Sequence, residues 1–430
     1  MYTLILFLVI FYPLSLFLAE KMAKFAKILS LYDSVRSGSP EESCPIAMEI
    51  DLNIFDGRET PFYFYDINLL RKTLREVNKA VDGRPIVVHY AIKANANNRI
   101  LREISSLGFS ADCVSGGEIK LAIENGFESS RIFYAGVGKT DREIREALAA
   151  GIGCFNIESI EELEVIGHIA SDMGVTADIA LRVNPDIDAH THHYITTGLE
   201  ENKFGIDRRR LDKAVEVAQS FRSLRLAGLH FHIGSQITTL EPFVILCERV
   251  NDIMDALRSR GIRLDFVDLG GGLGIDYDDP DSNPVADFRG WFDTIMKHIR
   301  LEPGQKVHVE PGRAIVGQCG SLISRVLYVK EGIDRRFVIL DAGMTELIRP
   351  ALYQAHHKIE NLSAATRSGD LQKYDVVGPV CESADTFGVD ELLPPTRRGD
   401  IVALRSAGAY GEAMSSHYNC RYISDPVYGE

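Results

Sequence analysis

The segment that decides the fold is residues 84–107, which read RPIVVHYAIKANANNRILREISSL. Residues 86–92 form an apolar run rich in β-branched side chains, a pattern typical of a strand buried on both faces. Residues 98–107 space their apolar side chains three and four positions apart, as an amphipathic helix does. The segment therefore predicts one strand followed by one helix, with Lys93 in the turn between them.

The same strand–helix unit recurs along the chain. Further strands are predicted at 111–114, 131–134, 154–157, 178–183, 225–231, 263–269 and 306–310. The helices between them are predicted at 117–125, 141–150 (with Asp141 as a candidate cap), 160–173, 208–220, 241–260 and 291–299. About eight cycles favour an α/β fold built on a closed parallel (β/α)8 barrel, and a doubly wound sheet is the alternative.

After Gly317 the pattern changes to strand-like runs with little helical periodicity, at 326–330, 336–342, 374–380 and 400–404. This predicts a separate C-terminal β-rich domain, of sandwich or barrel type. Residues 61–65 are also strand-like, precede the barrel and are followed by a helical pattern at 68–80; we expect the strand to pair with the C-terminal sheet. The predicted division is a leader and linker at 1–45, the barrel at 83–317, and a β-rich domain made of 46–82 and 318–430.

Composition limits the class of protein. The chain has 430 residues, with 45% hydrophobic and 25% charged, fractions that exclude wholesale disorder and a polytopic membrane protein. Lys and Arg total 47 against 61 Asp and Glu, a net charge of −14, which argues against nucleic-acid binding. The seven cysteines are odd in number, widely spaced and form no CxxC pair. We therefore expect a cytoplasmic protein with reduced thiols and no metal site.

Residues 2–19 are almost entirely apolar and are followed by three lysines. A signal sequence is one interpretation, although no basic residue precedes the run. A membrane anchor is another, although Pro13 interrupts a run close to the minimum of roughly 20 residues. The third is that translation starts at Met22. We expect no membrane association unless this leader belongs to the protein.

Polar and glycine residues gather where the predicted strands end, and barrel enzymes carry their active sites at the C-terminal ends of the strands. The residues are Lys93, Asp112, Arg182, His232, Gly270, Gly271, Gly272, Glu310 and Arg313. Each has an ordinary structural interpretation, such as a solvated lysine, a tight glycine turn, a buried histidine or a capping carboxylate.

Each also has a functional interpretation. A desolvated lysine amine condenses with an aldehyde, and unhindered glycine N–H groups bind a phosphate, with Arg313 as a further anion contact. His232 would lie flat on a planar cofactor, and Glu310 would keep a pyridine nitrogen protonated. These four parts together are those needed to hold pyridoxal phosphate.

Nine motifs occur in order between Thr60 and Arg421: HYAIKAN (89–95), SGGE (115–118), KFGI (203–206), HFHIGSQ (230–236), DLGGGLGI (268–275), EPGR (310–313), DAGMTELIRPALY (341–353), CESAD (381–385) and GAYG (408–411). On these motifs the chain resembles the alanine-racemase-fold group of pyridoxal-phosphate enzymes (fold type III). Within that group it resembles the diaminopimelate decarboxylase family, because Arg349, Tyr353 and Glu382 favour that family over the ornithine and arginine relatives.

The resemblance implies a role for each residue. Lys93 carries the cofactor aldehyde, His232 stacks on the ring and Glu310 pairs with the ring nitrogen. The phosphate is held by Gly270, Gly271, Gly272, Arg313 and Tyr410, with Ser235, Pro311 and Gly312 beside them. Asp112 and Arg182 match weaker cofactor positions. The substrate is bound by Arg313, Arg349, Tyr353, Tyr410 and Glu382, and Cys381 supplies or positions a proton.

The implied activity is decarboxylation of meso-2,6-diaminopimelate to L-lysine and CO2. The resemblance also implies a homodimer, in which Cys381 and Glu382 reach the partner's barrel. One departure is the tail after Arg421, which stops short of the family's usual final strand and is expected to leave a sheet edge unpaired. The rivals are a same-fold decarboxylase of a polyamine precursor (carboxynorspermidine or ornithine type), an amino-acid racemase, and a non-catalytic pyridoxal-phosphate-binding homologue.

Overall fold

The computed structural model describes residues 52–55, 57–185, 203–364, 367–422 and 424–430, which belong to one compact unit. The predictions for the apolar leader and linker at 1–45 lie outside the described residues. Among the residues that are described, no helix has the length and apolar character needed to cross a bilayer.

Eight parallel strands close into a barrel, β2 through β9, with β1 preceding them in the chain. They are β2 (Ile86–Ala91), β3 (Ser110–Cys113), β4 (Ile132–Tyr134), β5 (Cys154–Ile157), β6 (Ala177–Arg182), β7 (Leu224–His230), β8 (Phe266–Asp268) and β9 (Lys306–Val309). The circle closes where β2 pairs with β9, with Ile86 opposite Val307. The predicted barrel is confirmed and the doubly wound alternative is wrong.

Helices join the barrel strands on the outside. They are α1 (Ile67–Val81), α2 (Asn98–Ser106), α3 (Gly116–Glu124), α4 (Asp141–Ala150), α5 (Ile160–Met173), α6 (Leu211–Ser220), α7 (Glu241–Ser259) and α8 (Phe288–His298), with short helices α9 (Arg313–Val316) and α10 (Arg349–Tyr353) later in the chain.

The predicted cap of α4 is wrong by one position. Thr140, not Asp141, is the N-cap: its hydroxyl accepts from the Glu143 N–H, and the Glu143 carboxylate accepts from the Thr140 N–H. This reciprocal arrangement satisfies two backbone donors that a helix start leaves open.

The inside of the barrel is filled beneath its mouth. The rings of His89, Phe133, Phe266 and His308, from strands β2, β4, β8 and β9, contact one another across the interior. His89 Nε2 lies 3.0 Å from His308 Nδ1, and burial lowers the pKa of His89 to about 4, so the pair is uncharged at neutral pH. The interior beneath the mouth of the barrel is therefore filled by packed side chains.

A second sheet of eight strands carries the C-terminal part of the chain. Its strands are β1 (Phe62–Asp66), β10 (Gly320–Glu331), β11 (Arg336–Leu340), β12 (Ile359–Asn361), β13 (Gln372–Val377), β14 (Thr386–Leu393), β15 (Ile401–Leu404) and β16 (Val427–Gly429). The N-terminal strand β1 pairs antiparallel with β10, as expected for residues 61–65.

The expectation of an unpaired edge at the tail is wrong. β16 pairs in parallel with β1, with Phe64 opposite Val427 and Tyr65 opposite Tyr428. This three-residue strand covers the edge of β1 that was expected to stay unpaired. The exact boundaries of the predicted domains, at 46–82, 83–317 and 318–430, stay a prediction.

Candidate active site

Lys93 lies at the mouth of the barrel, in a single 3₁₀ turn (Ile92–Ala94) directly after β2. Its Nζ is 3.2 Å from Oδ2 of Asp112, which lies in β3 with its side chain fully buried. Burial alone would lower the pKa of Lys93, but the negative charge of Asp112, together with Tyr410 and Glu310, outweighs burial and raises the pKa. Burial and Glu310 raise the pKa of Asp112 in turn, and Lys93 opposes that shift. The amine and the carboxyl are in direct hydrogen-bond contact. Oδ1 of Asp112 is buried without a hydrogen-bond partner, so this carboxylate can accept one more donor.

Glu310, one residue past β9, is a buried carboxylate that stays ionised. Burial raises its pKa, but His230 and Lys93 lower it more, and the net pKa is well below that of a free glutamate. His230 Nε2 lies 3.2 Å from its Oε2, and Asn156 Nδ2 lies 3.4 Å from its Oε1. A negative charge held this deep needs a cationic or hydrogen-bonding partner in the site.

Asp268 lies beside Glu310, and its pKa is shifted in the opposite direction. Burial and the charge of Glu310 raise the pKa of Asp268 well above its ordinary value, which favours the protonated form of this carboxyl. His230, Asp268 and Glu310 place possible metal-ligand atoms within 4.8 Å of one another. Two carboxyls this close disfavour each other's ionisation, which shifts their pKa values apart.

The triple glycine follows β8 and turns sharply against the rim. Gly270 and Gly272 have φ of +69° and +115°, values that a side chain disfavours. A Cβ on Gly271 would lie 2.4 Å from the carbonyl oxygen of Glu310. The Gly270 N–H donates to Asp268 Oδ1, and the Gly271 N–H donates to His232 Nδ1. Two of the three amides therefore already have partners within the protein.

His232 is neutral and oriented. Burial and the nearby charge of Arg182 lower its pKa well below the ordinary value. Because its Nδ1 accepts from Gly271, the proton of the neutral ring lies on Nε2. An uncharged imidazole fixed at the rim is suited to stacking on a planar ring.

Arg313 begins α9 and is 6% exposed. Its Nη2 and Nε donate to Ser235 Oγ at 3.0 and 3.3 Å, and its Cζ is 5.0 Å from the ring centroid of Tyr410. Tyr410, with φ of +57°, is tied to the rim by its N–H, which donates to the Ala94 carbonyl at 2.8 Å. Arg313 follows the barrel strand β9, and Tyr410 follows strand β15 of the second sheet. The structure thus brings a predicted residue of each sheet into contact.

Pro311 and Gly312 place Arg313 against the lysine turn. The Pro311 carbonyl accepts from the Ala91 N–H at 3.4 Å, and a Cβ on Gly312 would lie 2.9 Å from that of Ala94. Any side chain at position 312 would push the arginine away from the rim.

A cavity of about 760 Å³ opens beside Arg313, lined by the loops after β7 and β8 and by Arg349, Tyr353 and His356 of the second sheet's connections. It also contains Tyr277, a residue that sequence reasoning missed. The Tyr277 hydroxyl accepts from Arg313 Nη1 at 2.5 Å and from Arg349 Nη1 at 2.8 Å. The available signal was its position four residues after Leu273 of the DLGGGLGI motif.

Three predicted site residues have their described contacts outside the group formed by Lys93, Glu310 and Arg313. Arg182 is engaged elsewhere: its Nη1 donates to Glu158 at 2.6 Å, and Glu158 also accepts from the N–H groups of Gly136 and Gly205. Cys381 and Glu382 are exposed. Their described contacts are with Asn419 and Tyr418, the Tyr418 hydroxyl donating to Glu382 at 2.7 Å.

The residues at the rim fit pyridoxal phosphate. Lys93 offers an amine, Glu310 a buried carboxylate and Arg313 a buried cation, and Asp112 retains an unsatisfied buried oxygen. These groups match an aldehyde, a pyridine nitrogen and a phosphate, the three functional ends of that cofactor.

Comparison with known proteins gives the family. Residues 67–317 match the family model described as pyridoxal-dependent decarboxylase, pyridoxal binding domain. The chain is 54% identical over 375 residues to a diaminopimelate decarboxylase of Bacteroides thetaiotaomicron, covering 86% of this chain and 96% of that one.

Solved structures agree. A diaminopimelate decarboxylase from Helicobacter pylori in complex with L-lysine superimposes with a TM-score of 0.82 at 41% identity, covering 88% of this chain and 93% of that one. The M. jannaschii enzyme in co-complex with L-lysine gives 0.80 at 34% identity, covering 88% and 89%. With a barrel, a pyridoxal-phosphate centre and this similarity over most of its length, the chain belongs to the diaminopimelate decarboxylase family of pyridoxal-dependent decarboxylases.

Proposed function

We propose that this carboxy-lyase uses pyridoxal phosphate to convert meso-2,6-diaminopimelate into L-lysine and CO2, the last step of lysine biosynthesis. One observation carries the choice of substrate. Two buried arginines, Arg313 and Arg349, meet in the cavity, and among the described residues neither has a carboxylate partner. A substrate with a second carboxylate supplies that partner.

The cofactor, when bound, supplies an electron-withdrawing ring that accepts the electron pair left as the carboxylate departs. Lys93 would hold the cofactor covalently through Nζ. The carboxylate of Glu310, kept ionised by His230, holds a proton at the pyridine nitrogen, and this stabilises the charge that develops in the transition state. Asp112 orients the lysine, and His232 covers one face of the ring.

The residues that would hold the phosphate are Gly270, Gly271, Gly272, Ser235 and Arg313. Pro311 and Gly312 position that arginine, Tyr410 packs on it, and Arg182 supports the rim beside His232. Since the amides of Gly270 and Gly271 have internal partners, the hydroxyl of Ser235 and the guanidinium of Arg313 supply the strongest contacts.

Arg313 serves both ends of the site. Its Nε and Nη2 face Ser235 on the phosphate side, and its Nη1 faces Tyr277 and Arg349 in the cavity. Arg313, Arg349, Tyr353 and Tyr410 would bind the distal carboxylate and so fix which end of the substrate lies over the cofactor. That orientation places the bond to be broken, and orientation contributes a large part of the rate.

We also propose that the working enzyme is a homodimer in the cytoplasm. Cys381 and Glu382 are exposed on this chain, which suits residues that complete a partner's site: Glu382 would bind the substrate's distal ammonium, and Cys381 would supply a proton to Cα. In this view the barrel at 83–317 holds the cofactor, and 46–82 with 318–430 forms the interface. The six described cysteines are all unpaired, as expected in a reducing compartment.

A substrate assay tests the function. Purified protein with pyridoxal phosphate is given meso-diaminopimelate, ornithine or carboxynorspermidine, and amine product and CO2 are followed. We expect lysine and CO2 from diaminopimelate only. Release of CO2 from ornithine at an equal kcat/KM, or racemisation without CO2, would contradict the proposal. Borohydride trapping with mass spectrometry should place the cofactor on Lys93, and Lys93→Ala is the control.

A further inference from the structure

Arg313 and Arg349 form a pair of buried like charges, and their arrangement needs an explanation. They are 6% and 5% exposed. Burial together with Arg313 lowers the pKa of Arg349 below the ordinary value, whereas Tyr277 and Tyr410 raise the pKa of Arg313 in spite of its burial. Two guanidinium groups in this environment separate unless something holds them together.

The group that lies between them is the Tyr277 hydroxyl. It accepts one hydrogen bond from each guanidinium, at 2.5 Å from Arg313 and 2.8 Å from Arg349. Burial opposes ionisation of this phenol, yet the two arginines lower its pKa below the ordinary value. The oxygen accepts from both cations at once and therefore bridges them.

The far side of the pair is also fixed. Arg349 Nη1 donates to His357 Nε2 at 2.9 Å, and His357 Nδ1 lies 2.9 Å from the carbonyl of Arg405. Burial and Arg349 lower the pKa of His357 to about 3, so its ring is neutral and accepts from the arginine. The ring of Tyr277 meets that of His357 edge to face at 5.1 Å.

The loop that carries Tyr277 is anchored on the second sheet. Asp276 accepts from the N–H groups of Asp278 and Asp279, which closes the turn around Tyr277. Asp281 pairs with Arg405 at 2.8 Å and with Lys358 at 3.0 Å. The hydroxyl is thus held in position from several directions, which suits a fixed bridge better than a gate.

We propose that Tyr277 is a positioning residue for substrate selection: its hydroxyl sets the spacing of Arg313 and Arg349 so that both can bind one carboxylate. The inference rests on the proposed function and extends it to a residue that makes the arginine pair selective. Without the hydroxyl the two guanidiniums repel each other and move apart. A carboxylate then binds more weakly, because part of its binding free energy is used to bring them together.

The test uses Tyr277→Phe, which keeps the ring and removes only the oxygen. L-lysine retains the distal carboxylate of the substrate, whereas 1,5-diaminopentane lacks it, so the two ligands separate carboxylate recognition from amine recognition. Calorimetry on the holoenzyme should show about tenfold weaker binding of L-lysine to the variant and unchanged binding of 1,5-diaminopentane. The KM for diaminopimelate should rise by a similar factor, with kcat changed less than about threefold.

Tyr328→Phe, at an exposed tyrosine on β10, is the matched control and should change neither affinity. Thermal melting and cofactor absorbance establish that both variants fold and bind the cofactor. Equal or tighter binding of L-lysine by Tyr277→Phe would overturn the inference, as would equal weakening of both ligands. Failure of the wild-type enzyme to release CO2 from diaminopimelate would instead contradict the proposed function and is read from a different assay.

Discussion

Two groups of buried arginines in this molecule differ in what faces them. Arg405 is 3% exposed, and it pairs with Asp281 at 2.8 Å and Glu360 at 2.5 Å, while Arg182 pairs with Glu158 at 2.6 Å. Arg313 and Arg349 are buried to nearly the same degree, but their partners are a serine, a tyrosine and a histidine. Within the part of the chain that the structure describes, the first group has internal counter-ions and the second does not.

The difference separates structural arginines from binding arginines. A guanidinium that pairs with carboxylates of the protein itself stabilises the folded structure. Its charge is already balanced before any ligand arrives. A buried guanidinium with only neutral partners is destabilising in the free protein and gains its counter-ion when substrate arrives. Mutation should therefore affect mainly stability in the first group and mainly catalysis in the second.

The largest expected effect is on catalysis, from Arg349→Ala. Removal of this guanidinium leaves the distal carboxylate with one cation, and we expect kcat/KM for diaminopimelate to fall by about a hundred- to a thousandfold. Steady-state kinetics measures this, and the cofactor absorbance and melting temperature should stay near those of the wild type. Arg336→Ala, at an exposed arginine on β11, is the control. Unchanged kcat/KM in Arg349→Ala would contradict the division into structural and binding arginines.

The next effect is on stability, from Arg405→Ala. The substitution leaves Asp281 and Glu360 short of a buried cation, and we expect the free energy of unfolding to fall by about 3 kcal/mol. Denaturant titration measures this.

Arg225→Ala is a matched control, because Arg225 also pairs with two carboxylates, Asp178 and Asp265, but is half exposed. It should cost less than about 1 kcal/mol. Equal losses of unfolding free energy in the two variants would show that burial of the ion pair does not determine its contribution to stability.

The positions that the sequence predicted well are those where one local pattern decides the structure. The β-branched runs before Lys93 and Glu310 form barrel strands, and closure of the barrel then brings both residues to the same rim. The helix at Asp141–Ala150 was predicted with its bounds, because its apolar spacing is regular. Its cap was misplaced because Thr140 and Asp141 are both good caps, and only the reciprocal bonds with Glu143 decide between them.

The features that were missed depend on contacts between distant parts of the chain. Tyr277 is separated from Arg313 by 36 residues and from Arg349 by 72, so no local pattern marks its hydroxyl as their common partner. Strand β16 has three residues, and it exists because β1, more than 350 residues earlier, offers a free edge. The final distribution of charge between Glu310 and Asp268 also requires the folded barrel.

The smallest expected effect concerns these two carboxyls and extends the comparison from cations to anions. Among the described residues Asp268 forms no ion pair, and burial with Glu310 raises its pKa well above the ordinary value, which favours its neutral form. Asp268→Asn keeps a neutral group of the same shape and the acceptor for the Gly270 N–H. We therefore expect kcat to change less than about threefold, whereas Glu310→Gln, which removes a charge, should lower kcat by about a hundredfold or more.

The stability of Asp268→Asn should depend on pH in a defined direction. An aspartate with a raised pKa must take up a proton on folding, which costs free energy at any pH above the ordinary value of about 3.9 and costs more as pH rises towards the folded pKa. The asparagine variant avoids this cost. Its melting temperature should exceed that of the wild type at pH 8, and the difference should shrink as pH falls to 5. A constant difference across that range would mean that Asp268 is ionised beside Glu310.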